Sequence, residues 1–157
     1  MDSYKYSEDS AEYLPLENKI LETVLALVYY YVENGISVSV SYFNDMFTER
    51  RIGGTGSFEE FYADMSGFYF RRDNEISKLI AGCEKETVLS PSESVVFVLH
   101  KWTDEVGAYS TQLSGNTIRQ SLFLITEDPD ESGVSAVPSN IGYRVVGYED
   151  RLNEVLG

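Results

Sequence analysis

The chain has 157 residues, of which 43% are hydrophobic and 24% charged, and this composition excludes a disordered or collagen-like polymer. Twenty-six Asp and Glu stand against twelve Lys and Arg, a net charge of −14, which argues against direct nucleic-acid binding and against docking on anionic lipid. The one cysteine, Cys83, excludes an intrachain disulfide and suggests a reducing compartment. Apolar stretches are too short to cross a membrane. We therefore expect a cytoplasmic protein, in the host cell if a mobile element encodes it.

The N-terminal part of the chain contains an acidic segment followed by a strongly apolar one. Residues 1–13 are polar and acidic and predict a flexible arm, with residues 14–157 forming a single α+β domain. Apolar residues then recur on two adjacent helical stripes, which predicts a helix over 16–34 that is buried on most sides. Pro15 suits its first turn, and Asn34 with the following glycine ends it.

Residues 36–49 permit two interpretations. Apolar residues alternate with three serines over 36–41, which predicts a short strand. A serine acting as N-cap would instead begin a helix in the same place. We favour a short extended piece followed by a helix over 40–49.

Two further helices are predicted before residue 86. Ser57 and Glu60 have the spacing of a capping box, and apolar residues follow at helical spacing, so we expect a helix over 58–70. Asp73 can cap a shorter helix over 74–82.

After residue 86 the pattern changes to short apolar runs that are typical of strands. The predicted strands span 94–102, 109–113, 117–126 and 141–148. The first is apolar on both faces, so we expect it to be an interior strand. Helices followed by strands predict an α+β fold in which the N-terminal helices pack on a mostly antiparallel C-terminal sheet.

A glycine-rich loop precedes the predicted helix over 58–70. Backbone N–H groups at a helix start attract anions, but the P-loop lysine is absent and the glycine spacing does not fit a dinucleotide fingerprint. A flexible loop with a serine cap is therefore favoured. The weaker alternative is an anion site formed by this loop and two arginine pairs: Arg50, Arg51, Gly53, Gly54, Gly56, Arg71 and Arg72.

The sequence carries no convincing catalytic or metal-binding motif. His100 is the only histidine, which excludes a multi-histidine metal site, and no Gly-x-Ser-x-Gly elbow is present. Cys83 has acidic neighbours, which raise a thiol pKa. Residues 128–133 match half of a calcium loop, but Ser139 stands where the closing acid belongs. We therefore predict a protein that is not an enzyme, with no metal site and no cofactor.

Charge is unevenly distributed along the chain. Residues 1–49 carry −7 and residues 73–157 carry −8, whereas residues 50–72 carry +1. The four arginines of this middle segment are expected to neutralise neighbouring carboxylates, and the alternative is that they contact an anion or a partner.

Acidic and aromatic side chains are the candidates for contact with a partner. An acidic run follows the third predicted strand, and the segment 58–70 concentrates aromatic residues, which are favoured in interface centres. The predicted contact residues are Glu127, Asp128, Asp130, Glu131, Phe58, Phe61, Tyr62 and Tyr69.

These observations favour a binding protein. The leading hypothesis is an acidic inhibitor that covers a basic, nucleic-acid-binding surface of a protein partner, as a nucleic-acid mimic, an anti-defence protein or an immunity protein does. A second hypothesis rests on the order of predicted elements, which is similar to that of a winged-helix DNA-binding domain, with the arginine pairs meeting phosphate. A third is a small enzyme or binder of a phosphorylated ligand that uses the loop 53–57. The oligomeric state stays open, as does the possibility that the net charge only maintains solubility.

Overall fold

The computed structural model describes residues 1–86 and 94–156. Its helices are α1 (Ser10–Glu33), α2 (Thr55–Ser66), α3 (Ile76–Glu86), α4 (Asp104–Gly115) and α5 (Leu152–Leu156). Its strands are β1 (Val38–Asn44), β2 (Met46–Ile52), β3 (Ser94–Leu99), β4 (Arg119–Ile125) and β5 (Gly142–Val146). A 3₁₀ turn, Val134–Ala136, lies between β4 and β5. In the described part of the chain, no helix combines the length and hydropathy that crossing a membrane requires.

The C-terminal half is built on a parallel sheet with the strand order β3-β4-β5. Ser94 pairs with Arg119 at the start of β3, and Ser121 pairs with Gly142 at the start of β5. Helix α4 connects β3 to β4, and such a crossover allows neighbouring strands to run in the same direction. The middle strand β4 is covered on both faces over its second half, where residues 122–125 are all apolar and buried, whereas its first three residues are polar.

Helices cover the two faces of this sheet. On one face, Phe123 and Ile125 belong to the cluster that α1 completes with Ile20 and Val24. On the other face, alternate residues of β3 and β4 pack with Val106 of α4 and with the connection that leads to β5. The alternation follows from the pleat, because successive side chains of a strand point to opposite faces.

Residues 40–49 form a hairpin, so the helix predicted there is wrong. Strands β1 and β2 pair antiparallel along their whole length, from Val38 opposite Ile52 to Asn44 opposite Met46. Asp45 occupies the tip with φ of 61°, in the left-handed region that a short polar side chain tolerates. Alternate burial along β1, rather than helical burial, decides the outcome.

The predicted antiparallel C-terminal sheet is also wrong, because β3, β4 and β5 are parallel. The strand predicted over 109–113 lies inside helix α4, which Thr103 caps by accepting a hydrogen bond from the N–H of Val106 at 3.4 Å. The strand predicted over 94–102 ends at Leu99 and lies at the edge of the sheet rather than in its interior. The strands predicted over 117–126 and 141–148 are confirmed as β4 and β5.

The remaining predicted helices are confirmed with shifted ends. Helix α1 begins at Ser10, because the carboxylate of Asp9 accepts a hydrogen bond from Ala11 N at 3.0 Å, and Pro15 therefore lies inside the helix rather than in its first turn. Helix α2 stops at Ser66 instead of residue 70, with Gly67 as its C-cap. The helix predicted over 74–82 is α3.

The first residues, which the sequence assigns to a flexible arm, are placed against the body of the protein. Asp2 and Ser3 are both buried. The N–H of Asp2 donates to the carbonyl of Val98 at 2.9 Å, and the hydroxyl of Ser3 donates to the carbonyl of Phe43 at 2.5 Å. This segment therefore links the hairpin to the free edge of β3.

Neighbouring residues of α2 test the orientation of that helix. Phe61 is 0% exposed, whereas Tyr62 is 57% exposed. We expect Phe61→Ala to lower the free energy of unfolding by about 3–5 kcal/mol, because it leaves a cavity. We expect Tyr62→Ala to change it by about 0.5 kcal/mol or less. Urea unfolding followed by circular dichroism measures both, and similar losses from the two variants would show that α2 is oriented differently.

Candidate functional site

Acidic side chains gather where the three parallel strands end. Parallel strands have their carboxyl ends at the same edge of the sheet, so the segments that follow β3, β4 and β5 meet there. Here the segments that follow the strands carry exposed carboxylates at eight positions: Asp104, Glu105, Glu127, Asp128, Asp130, Glu131, Glu149 and Asp150. The same segments contain two cations, Lys101 and Arg151. We call this region the acidic edge.

The loop that follows β4 is fixed against the end of β3. The N–H of Trp102 donates to the carbonyl of Ser132 at 2.8 Å. Gly133 has φ of +79°, and a Cβ at this position would lie 2.5 Å from the carbonyl oxygen of Trp102. Glycine is therefore required both by the backbone conformation and by the close approach of the two segments. The acids of residues 127–131 thus lie beside those that begin α4.

The same loop is joined to the segment that follows β5. A carboxylate oxygen of Glu127 accepts a hydrogen bond from the N–H of Tyr148. Asp150 accepts one from Gly147 N at 2.8 Å, and its own carbonyl accepts one from the Lys19 ammonium at 2.9 Å. The acidic edge therefore stands on backbone segments that are tied to each other and to α1.

The individual acids of the edge have different local roles. Asp128 shapes its turn by accepting a hydrogen bond from the N–H of Glu131 at 3.2 Å. The carboxylate of Glu105 accepts hydrogen bonds from the N–H of Glu105 and from the Thr103 hydroxyl. These bonds lower the pKa of Glu105, so it stays ionised. The side chains of Asp130 and Glu131 make no hydrogen bond or ion pair with the residues that the structure describes. The exposed side chains of Asp104 and Glu149 likewise make no hydrogen bond or ion pair with the described residues.

A cavity of about 420 Å³ opens at the acidic edge, beneath the N-terminal end of α1. Its chemistry is mixed, because aromatic rings, one carboxylate and one ammonium contribute to the same wall. The lining residues with functional side chains are Tyr6, Ser7, Glu12, Tyr13, His100, Lys101 and Tyr148. We call this space the His100 cavity.

The imidazole of His100 is held in one tautomer. Its Nδ1 lies 2.7 Å from the carbonyl oxygen of Ile125, and a carbonyl can only accept, so Nδ1 carries the proton and Nε2 is an acceptor. Burial lowers the pKa of His100, although the carbonyl of Ile125 and the nearby charge of Asp2 act in the opposite direction. The ring is therefore neutral at pH 7.

Asp2 organises the inner wall of the His100 cavity. Its carboxylate is 1% exposed and accepts hydrogen bonds from the Tyr6 hydroxyl at 2.7 Å, from Tyr4 N at 3.0 Å and from His100 N at 3.3 Å. The Tyr6 ring meets the imidazole edge-on, with the ring centroids 4.4 Å apart. Burial, followed by the charge of Asp2, raises the pKa of Tyr6, so its hydroxyl stays protonated as a donor.

The aromatic residues predicted to contact a partner do not form one surface. Phe61 is completely buried, so its assignment to a contact surface is wrong. Phe58 is half-buried, with its ring centroid 5.4 Å from that of Tyr29 and 6.4 Å from that of Tyr62. Tyr62 and Tyr69 are exposed. Tyr29 lies near the end of α1 remote from the His100 cavity, so Phe58 and Tyr62 are separate from the acidic edge.

The arginine pairs are mostly engaged with carboxylates. Arg50 pairs with Asp64 at 2.5 Å, and Arg72 pairs with Glu8 at 2.9 Å. Arg71 pairs with Asp45. Arg51 is exposed. This arrangement agrees with the expectation that these arginines neutralise neighbouring acids, and exposed pairs of this kind add little stability.

The glycine-rich loop uses its own amides internally. The hydroxyl oxygen of Ser57 accepts hydrogen bonds from Gly53 N at 3.1 Å and from Gly54 N at 3.2 Å. Gly54, not Ser57, is the N-cap of α2, so the predicted capping box is wrong. Gly56 lies inside the first turn of the helix. Two of the backbone N–H groups that a phosphate site would need therefore already donate to Ser57.

A larger cavity, of about 670 Å³, lies between α1, α3, β1 and β3. Aliphatic side chains dominate its wall, and of the described lining residues Arg51 alone has a charged side chain. Within residues 1–86 and 94–156, no group of three or more His, Cys, Asp or Glu side chains is placed to hold a metal ion. The concentration of charge and convergent polar groups thus favours the acidic edge as the functional site.

Comparison with protein-family models, with curated proteins and with solved structures gives no match. The assignment of a function therefore depends on the geometry of this chain. The acidic run 127–131 is predicted from the sequence, whereas the other two segments of the edge and the His100 cavity are not. The available signal was the presence of Asp and Glu shortly after each of the three strands. This signal is informative only once the strands are known to be parallel.

The titration of His100 tests the environment described for its ring. We expect nuclear magnetic resonance (NMR) to give a pKa below the ordinary value of about 6.5, because burial disfavours the charged ring. The unfolded state then binds more protons than the folded state as the pH falls through this range, so the contribution of His100 to stability decreases on acidification. A ring pKa at or above about 6.5 would contradict the burial of this side chain.

A variant isolates this contribution from that of other groups. His100→Asn keeps an amide N–H near the position of Nδ1 but does not titrate. Between about pH 7.5 and pH 5, wild type should lose more free energy of unfolding than the variant does.

Proposed function

We propose that this protein binds a basic surface of a protein partner through its acidic edge, and that it does so without catalysing a reaction. The single observation that supports the proposal most is the convergence of exposed carboxylates at the carboxyl ends of β3, β4 and β5. Their backbone supports are tied together, so the negative charges are presented on a fixed frame. Preorganised charge lowers the cost of ordering an interface.

The partner class follows from the sign of the charge on this surface. A cluster of carboxylates on a protein frame is negatively charged, as are the phosphates of a nucleic acid, and basic clefts that bind nucleic acid are complementary to both. We therefore propose that the partner is a nucleic-acid-binding protein whose cleft is covered. Complementary charge of this kind mainly accelerates association, and the acceleration falls with salt.

The two alternative functions have weaker support. The winged-helix hypothesis relied on a helix over 40–49, where the structure has a hairpin, and three of its four arginines are paired with carboxylates. The phosphorylated-ligand hypothesis relied on amides of the loop 53–57, two of which bond to Ser57. Both alternatives would require existing ion pairs or hydrogen bonds to break, whereas binding at the acidic edge does not.

Paired charge reversals test the proposal. Asp130→Lys with Glu131→Lys alters the edge and leaves the turn of Asp128 unchanged, whereas Glu59→Lys with Glu60→Lys makes the same change in net charge on the exposed face of α2. Each tagged chain is expressed in the cells that produce the protein, cross-linked and captured, and the bound proteins are identified by mass spectrometry. We expect wild type and the α2 variant to capture the same basic partner and the edge variant to lose it.

Kinetics with the captured partner complete the test. Association should slow steeply as the salt concentration rises from about 50 mM to 500 mM, because the Debye length falls from roughly 14 Å to 4 Å. Added DNA or RNA should compete for the partner. Both variants should keep the melting temperature of wild type, since exposed charges contribute little to stability. Equal capture by the two variants would overturn the proposal.

A further inference from the structure

We propose that the His100 cavity is the anchor site for one arginine side chain of the basic partner. This inference rests on the proposed function and specifies the chemistry of its contact. The cavity opens at the acidic edge and has about 420 Å³, enough for a guanidinium group and its aliphatic stem. Buried arginines that enter pockets are typical anchors of protein interfaces.

The aromatic walls suit a flat cation. Tyr6, Tyr13 and Tyr148 line the cavity together with the imidazole of His100. The ammonium of Lys5 already lies 3.5 Å from the centroid of the Tyr13 ring, and that of Lys101 lies 5.8 Å from the centroid of Tyr6. Lys5 therefore already covers the Tyr13 ring, which leaves the rings of Tyr6 and Tyr148 for an incoming guanidinium. A guanidinium stacks on such rings better than an ammonium does.

Two acceptors in the cavity match the N–H groups of a guanidinium. The His100 ring donates through Nδ1 to the Ile125 carbonyl, which leaves Nε2 as an acceptor. Glu12 is exposed at the cavity and carries a carboxylate, one oxygen of which accepts a hydrogen bond from the Ser7 hydroxyl at 2.6 Å. Arginine has five donors in a planar fork and no acceptor, so each of these two acceptors is complementary to it.

Lys101 gives the inference a sharp test, because it is the one cation among the described residues that line the cavity. A bound guanidinium is repelled by this ammonium, so its removal should strengthen binding. A bound anion would be attracted, so the same removal should weaken binding. The sign of the effect therefore identifies the charge of the ligand.

The probe is N-acetyl-L-arginine methylamide, compared with the neutral isostere N-acetyl-L-citrulline methylamide. His100 is the only histidine, so its ring signals in an NMR spectrum of the full chain need no assignment by mutation. We expect saturable shifts of the His100 ring with the arginine probe and at least about tenfold weaker binding of the citrulline probe. Lys101→Met should tighten arginine binding by about threefold, and Glu12→Gln should weaken it by about threefold.

Matched variants control for net charge. Lys85→Met and Glu59→Gln make the same charge changes at exposed positions on α3 and α2, and each should leave the affinity for the probe within about twofold. Glu12→Gln retains an oxygen acceptor for the Ser7 hydroxyl, so it removes charge with little change in structure. The ring signals of the unbound variants confirm that the cavity is intact.

The outcomes separate this inference from the proposed function. Equal binding of the two probes, no shift up to about 50 mM arginine probe, or weaker binding by Lys101→Met would overturn the arginine site. If the edge reversal still abolished partner capture in that case, the proposed function would stand without it. The arginine probe could bind as expected while the edge variant still captures the partner as well as wild type does. That result would support the arginine site and overturn the proposed function.

Discussion

The strands β3, β4 and β5 pair in parallel, and the placement of the helices and of the acidic edge follows from this pairing. It requires two crossovers: α4 connects β3 to β4, and the connection that contains the 3₁₀ turn leads from β4 to β5. It also requires cover on both faces of the sheet, to which α1 and α4 contribute. It also brings the carboxyl ends of three strands to one edge. The segments that follow the strands are rich in Asp and Glu. The topology therefore brings together, at one edge, negative charge that is spread over about 50 residues of the sequence.

The N-terminal segment connects this sheet to the remainder of the molecule and shapes the cavity at its edge. The buried carboxylate of Asp2 receives hydrogen bonds from Tyr6 and from the backbone of His100, so the charge lies in a site built to hold it. Burial of a carboxylate is costly unless its oxygens accept hydrogen bonds that replace those lost to water. The same contacts place the Tyr6 ring against the imidazole and form the inner wall of the His100 cavity. One small segment therefore joins hairpin, sheet and candidate site.

Sequence reasoning succeeded where one periodicity was long or pure. Helix α1 and strands β4 and β5 follow from their apolar patterns. The hairpin over 40–49 was mistaken for a helix because apolar residues there fit both spacings, and cross-strand pairing decided between them. Helix α4 was missed because its inward residues, Val106, Tyr109 and Leu113, are few among Ser, Thr and Gly. Because α4 was not predicted, the crossover between β3 and β4 was not predicted either. The parallel direction of the strands, the acidic edge and the His100 cavity were missed for the same reason.

Whether the negative charge gathers at the acidic edge can be measured as the near-surface electrostatic potential around each backbone amide. It is obtained by NMR from the difference in paramagnetic relaxation caused by a cationic and an anionic nitroxide cosolute. We expect the most negative potentials at the amides of residues 103–105, 127–132 and 147–151, measured at low salt where screening is weak. A uniform potential, or one most negative on the outer face of α2, would show that the topology does not gather the charge at the edge of the sheet.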